Sequence, residues 1–180
     1  MNYLIKDLTL FKYIPFEILT KYWARCYTIE CNFYKSLNNR LMKSEISFNY
    51  KTFIKMLYKG VEVNSLKLYS GNNLYRGSVI NKIEIDKIKK YKDLGKLSNV
   101  VVFSKAFLSF SEDKSQADNF CGKADNTKLG CLFILENNKI NLHESNANIQ
   151  NFSAHPSEKE ILFFPGSSFI IKDIKERNYW

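Results

Sequence analysis

The sequence predicts an α+β fold, with helices first and strands after. Three observations predict it. The first 60 residues carry apolar side chains at helical spacing. From about residue 61, short apolar runs take over, separated by polar turns such as Gly71-Asn72-Asn73, Asn137-Asn138 and Pro165-Gly166. The strands do not alternate regularly with helices, and no glycine-rich dinucleotide loop is present, which argues against a doubly wound sheet. At 180 residues the chain is expected to be one domain, 1–180, helical over residues 1–60 and strand-rich over residues 61–180.

The elements follow in order. Pro15 suits a first helical turn, and Ile18, Leu19, Tyr22, Trp23 and Cys26 follow at helical spacing. Phe33, Tyr34, Leu37 and Leu41 repeat the pattern. Phe53, Ile54, Leu57 and Tyr58 do so again, with Gly60 as the stop. Strands are predicted over residues 74–76, 100–103, 106–109, 131–135, 160–164 and 169–171. A helix over 84–91 and another over 112–120 interrupt them, the second with Ser111 as N-cap. Residues 121–130 and 146–156 read as polar loops.

Composition narrows the function. The formal net charge is +9, mostly from lysine, which fits either a solvated lysine surface or attraction to anions. The cations are scattered except at Lys87-Ile88-Lys89-Lys90-Tyr91-Lys92, and no nucleic-acid motif is present, so no nucleic-acid partner is expected. No apolar run reaches membrane-span length, and the N-terminus, with Lys6 and Asp7, lacks a signal peptide's apolar centre. Cys26, Cys31, Cys121 and Cys131 show no metal-ligand spacing, and His143 and His155 stand alone. No metal is expected. Cys26 reads as a buried thiol, and the chain as a reduced, cytosolic monomer.

The candidate site centres on Ser157-Glu158-Lys159-Glu160-Ile161-Leu162-Phe163-Phe164-Pro165-Gly166. Alternation along the strand puts Glu158 and Glu160 on one face, roughly 7 Å apart. Two carboxylates at the entry to a buried strand are costly unless something uses them. Two further stretches matter, Leu74-Tyr75-Arg76-Gly77-Ser78 and Phe107-Leu108-Ser109-Phe110-Ser111. Arg76 offers a planar fork suited to phosphate. Alternation puts Ser109 and Ser111 on one face and Phe110 on the other, toward the core. One serine hydroxyl is then free to hold a carboxylate while the other caps the next helix.

Together these stretches resemble the mono-ADP-ribosyltransferases, in the Arg-Ser-Glu branch with a Glu-x-Glu motif, the arginine-specific type. Tyr27-Thr28-Ile29-Glu30 and Phe33-Tyr34 are similar to the family's N-terminal region. The family usually has Ser-Thr-Ser where this chain has Ser109-Phe110-Ser111. The resemblance implies a split pair of small β-sheets around an NAD cleft. It implies that NAD is the co-substrate and that an arginine on a target protein is the acceptor. Carried over, Arg76, Gly77, Ser109 and Glu160 bind NAD. Ser109 orients Glu160, Glu160 holds the nicotinamide ribose, and Glu158 engages the acceptor. The family's loop before the acidic pair faces the protein substrate, which makes Phe152 an exposed anchor, while His155 reads as a structural or surface histidine. The loop around residues 122–130 would close over the nicotinamide end. An effector acting in a host cytosol fits this picture. The alternatives are an NAD glycohydrolase on the same fold and a binding module that has lost the chemistry.

Overall fold

The structure, a computed structural model, describes residues 14–29, 32–62, 66, 69, 71, 73–96, 100–122, 125–136 and 145–176. The expectations for Glu30, Cys31, His143 and the Asn137-Asn138 turn lie outside them. Helix α1 spans Phe16–Thr28, α2 Asn32–Met42 and α3 Phe48–Glu62. Strand β1, Leu74–Asn81, runs into α4, Lys82–Asp93. Then come β2 Val101–Phe103, β3 Leu108–Ser111, α5 Lys114–Asn119, β4 Lys128–Leu135 and β5 Asn146–Asn148. A 3-10 turn at Pro156–Glu158 precedes β6 Glu160–Phe163 and β7 Ser168–Ile170. The α+β order expected from the sequence is the one found.

The helices pack differently from the expected stripe. Pro15 caps α1, and its carbonyl accepts from Ile18 N and Leu19 N. The buried face of α1 is Thr20, Ala24 and Tyr27, whereas Ile18 and Tyr22 are 57% and 41% exposed. Small residues win this face because they let helices approach closely. A Cβ added at Gly60 would come 3.0 Å from Thr20 Cβ, so Gly60 is an α1–α3 contact and α3 continues past it to Glu62. Cys26 is half-buried. Trp23 stands edge-on to Phe53 at 5.5 Å, and Phe53 in turn meets Phe33 at 4.9 Å.

The strands form two sheets. The larger has the order β4-β1-β3-β6-β5, and the smaller pairs β2 with β7. All pairings are antiparallel. Strand β6 is buried along its whole length, as expected of a central strand. Its two faces serve two cores. Leu162, with Ala147, Phe164 and Phe107, packs with the helices. Ile161 and Phe163 join Phe110, Leu74 and Tyr69, with Phe169 against them. Phe110 is 6% exposed and meets Phe163 at 5.1 Å, in the core where alternation places it.

Several boundaries differ from the expectation. Strand β4 begins at Lys128, inside the stretch read as a loop, because its ladder with β1 continues through Ile80–Leu129 to Asn81–Lys128. Strand β5 also falls in a stretch read as a loop. Asp113, not Ser111, caps α5, and its side chain accepts from Ser115 N at 2.9 Å. The lysine cluster lies on α4, which has no buried residue, and Lys89 and Lys92 pair with Glu176 and Asp173.

Candidate active site

The site forms where β1, β3 and β6 meet beneath α1. Strands β3 and β6 pair in full register, with Ser109 opposite Leu162 and Ser111 opposite Glu160. Strands β1 and β3 pair only at Tyr75 and Ser111. Beyond that point the Ser109 carbonyl has no strand partner in β1. Arg76 takes the place, its Nη1 donating to Ser109 O at 2.8 Å. The guanidinium therefore closes the gap between two strands and is held there.

Glu160 is 6% exposed, and such a carboxylate needs donors. The hydroxyls of Ser109 and Ser153 lie near enough to favour its charged form. Burial nonetheless pushes the Glu160 carboxyl above its ordinary range, and Glu158 nearby adds to the rise. The two serines and His155 oppose it. Burial likewise pulls the Arg76 guanidinium below its usual pKa, opposed by Tyr27 and Glu160 beside it. Arg76, Ser109 and Glu160, far apart in sequence, thus come together.

Glu158 requires a correction. It does not share a strand face with Glu160. Pro156 starts a 3-10 turn that ends at Glu158, and Lys159 then takes a left-handed conformation, φ 47° and ψ 53°. The alternation argument fails because β6 begins only at Glu160. Ser111 fixes this turn instead of capping a helix. Its hydroxyl donates to Glu158 O at 2.6 Å and accepts from Asp113 N at 2.9 Å. Glu158 is half-buried and close enough to act on the Glu160 carboxyl.

Gly77 has a local reason to be glycine. A Cβ there would sit 1.8 Å from Ala117 O, so β1 and α5 touch backbone to backbone. Phe152 is half-buried, not an exposed anchor. It packs against the helical core, and Lys21 Nζ lies 5.4 Å from its ring centroid. Covering apolar surface outweighs display to solvent here. His155 is half-buried in the same loop. Cys121 and Cys131 carry free thiols, with Cys121 Sγ 3.5 Å from Cys131 O.

Two site residues escaped sequence reasoning. Tyr27 is 5% exposed, its hydroxyl accepts from Asn38 Nδ2 at 3.0 Å, and burial raises its pKa well above that of a free phenol. Ser153 is 1% exposed. Tyr27 entered the sequence reading only within the stretch Tyr27-Thr28-Ile29-Glu30, with no role of its own, and Ser153 as one serine in a polar loop. Neither carried a spacing signal. Among the described residues no cluster of metal-ligating side chains exists.

The fold has solved counterparts. The Vis toxin, an ADP-ribosyltransferase from Vibrio splendidus, matches with a TM-score of 0.63 at 19% identity, over 93% of this chain and 70% of that one. The ADP-ribosyltransferase HopU1 of Pseudomonas syringae matches with a TM-score of 0.56 at 18% identity, over 86% and 69%. The C3 exoenzyme of Clostridium limosum matches with a TM-score of 0.55 at 14% identity, over 94% and 82%. No protein-family model and no curated protein matches the chain. The fold is that of the ADP-ribosyltransferases.

Proposed function

We propose that this protein is a mono-ADP-ribosyltransferase of the Arg-Ser-Glu type, moving ADP-ribose from NAD to an arginine of a target protein and releasing nicotinamide. One observation carries the proposal. A buried carboxylate, Glu160, stands near the Ser109 hydroxyl and the Arg76 guanidinium, all on the strands that form the sheet's centre. The counterparts in fold, and the Vis structure in complex with agmatine, itself a guanidine, support it.

The residues suit the chemistry. Breaking the nicotinamide–ribose bond builds positive charge on the ribose, as in glycoside cleavage. Glu160 fixes a ribose hydroxyl and places negative charge against that development, where low dielectric strengthens its effect. Nicotinamide leaves as a neutral base, so no acid need protonate it. Arg76 holds NAD phosphate or ribose, and Gly77 continues the backbone beside it. In the transfer, an acceptor guanidine nitrogen bonds to the ribose carbon as the bond to nicotinamide breaks. Glu158 aligns that nitrogen and takes its proton. No metal has a role. The names of the counterparts, a toxin and an exoenzyme, favour an effector that works in the cytosol of another cell.

Glu158 lies in a turn and not on the strand, and this favours a second reading, an NAD glycohydrolase with water as acceptor. The test is incubation with NAD, following free nicotinamide and the mass of agmatine and of an arginine-rich protein. The first reading predicts nicotinamide release together with an ADP-ribose adduct on a guanidine. Release with no adduct gives the second. No release contradicts both.

A further inference from the structure

The loop before Glu160 is tied to it more closely than its polar sequence implies. From β5 the chain reaches Ile149, whose N–H donates to Glu160 O at 3.2 Å. It then turns back sharply, Phe152 N and Ser153 N both donating to Ile149 O at 2.8 Å. The turn brings Ser153 close enough to influence the Glu160 carboxyl. Helix α1 fastens the far side: Arg25 Nη1 donates to Ser153 O at 3.4 Å, and Ala154 N donates to Thr28 Oγ1 at 2.7 Å.

Ser153 is 1% exposed, so its hydroxyl must satisfy both its lone pairs and its proton inside the protein. Its oxygen accepts from His155 N at 3.0 Å. Its proton still needs an acceptor, and the Glu160 carboxyl, which Ser153 acts to make more acidic, is the charged acceptor nearby. Ser109 reaches the same carboxylate from β3. A carboxylate with one donor turns freely about its last torsion, which is broad and two-fold. Two donors from different elements remove that freedom. The remaining charged or titratable groups about Glu160 are Arg76 from β1, Tyr27 from α1, Glu158 from the 3-10 turn and His155 from the loop.

We propose that Ser153 is a positioning residue. Together with Ser109 it sets the plane of the Glu160 carboxylate, and it makes that setting depend on how the loop at 149–155 is seated against α1. The role in catalysis rests on the function proposed above; the contact with Glu160 does not. Disturbance of the loop by a docking protein would then reach the Glu160 carboxylate through this hydroxyl.

The experiment compares Ser153→Ala and Ser153→Thr with the wild type in two measurements. The first is kcat and KM for nicotinamide release across pH. Ser153→Ala is expected to lower kcat about 10- to 100-fold, as loss of an orienting hydrogen-bond partner commonly does, with KM for NAD little changed. Its acid limb is expected to move to higher pH, and Ser153→Thr to recover most of the rate. The second measurement is the titration of the Glu160 carboxyl by carbon-13 NMR, which needs no activity. Ser153→Ala is expected to raise that pKa. A titration that does not move overturns the contact, whatever the protein catalyses. A titration that moves while kcat and the acid limb stay put overturns the catalytic role. A titration that moves in a protein that never cleaves NAD upholds the contact and removes the function on which the role rests.

Discussion

Glu160 and Glu158 stand two residues apart and live in different worlds. Glu160 opens a strand whose four residues are all buried, and the sheet holds it from both sides. Glu158 closes a 3-10 turn, half-buried, with its backbone carbonyl fixed by Ser111 and its side chain left to the loop. On the proposed function, the difference lets one short segment serve two partners. A group that meets the same co-substrate every turnover gains from rigid placement. A group that meets an acceptor on a separate protein gains from a place on a loop.

The largest expected effect tests the rigid half. Glu160→Gln keeps the shape and removes the charge, and nicotinamide release is expected to fall about 100- to 1,000-fold. Near-normal release by this variant would erase the contrast between the two carboxylates. The core beneath comes next. Phe110 packs between Phe163 and Phe169 on the face of the sheet away from the helices. Phe110→Ala is expected to cost about 3–5 kcal/mol in denaturant unfolding. The rigid placement of Glu160 should suffer with it, lowering kcat before the protein unfolds. An unchanged unfolding midpoint would show that this core does not support β6.

Much of the rigid half was legible in the sequence, and much of the loop half was not. The run Ile161–Phe164 marked a buried strand because burial on both faces leaves an unbroken apolar signature. Phe110 followed from alternation alone. Strand β5 carries Asn-Ala-Asn, which has no strand signal. It is a strand only because β6 pairs with it and because Asn146 Oδ1 accepts from Tyr69 N at 2.9 Å. The start of β4 at Lys128 likewise comes from the ladder with β1 and not from its own residues. The buried stripe of α1 was displaced because small residues at the α1–α3 contact outrank large ones nearby, a fact held jointly by Thr20 and Gly60. Pro156 did announce a turn, and reading it as decisive would have kept Glu158 off the strand.

Smaller effects sharpen the comparison. Arg76→Lys loses the fork that bonds Ser109 O, and NAD is expected to bind about ten-fold more weakly by calorimetry. Unchanged affinity would leave Arg76 a purely structural tie between β1 and β3. The smallest effect is in stability. Burial raises the folded-state pKa of Glu160 above its unfolded value. Its contribution is therefore fully present below the unfolded pKa and is lost as pH rises through the folded one. Glu160→Gln should accordingly melt higher than the wild type at neutral pH, and the gain should shrink as pH falls through the raised folded-state pKa to the ordinary glutamate value. A gain that grows toward low pH would contradict this burial.

The most direct test of two carboxylates with two partners is Glu158→Gln in a paired assay. Nicotinamide release and label transfer to an arginine-rich protein are followed on the same sample. The account predicts that transfer falls about 100-fold or more while NAD cleavage is largely spared, because Glu158 acts on the acceptor alone. Transfer at the wild-type rate, or equal loss of both activities, would contradict it.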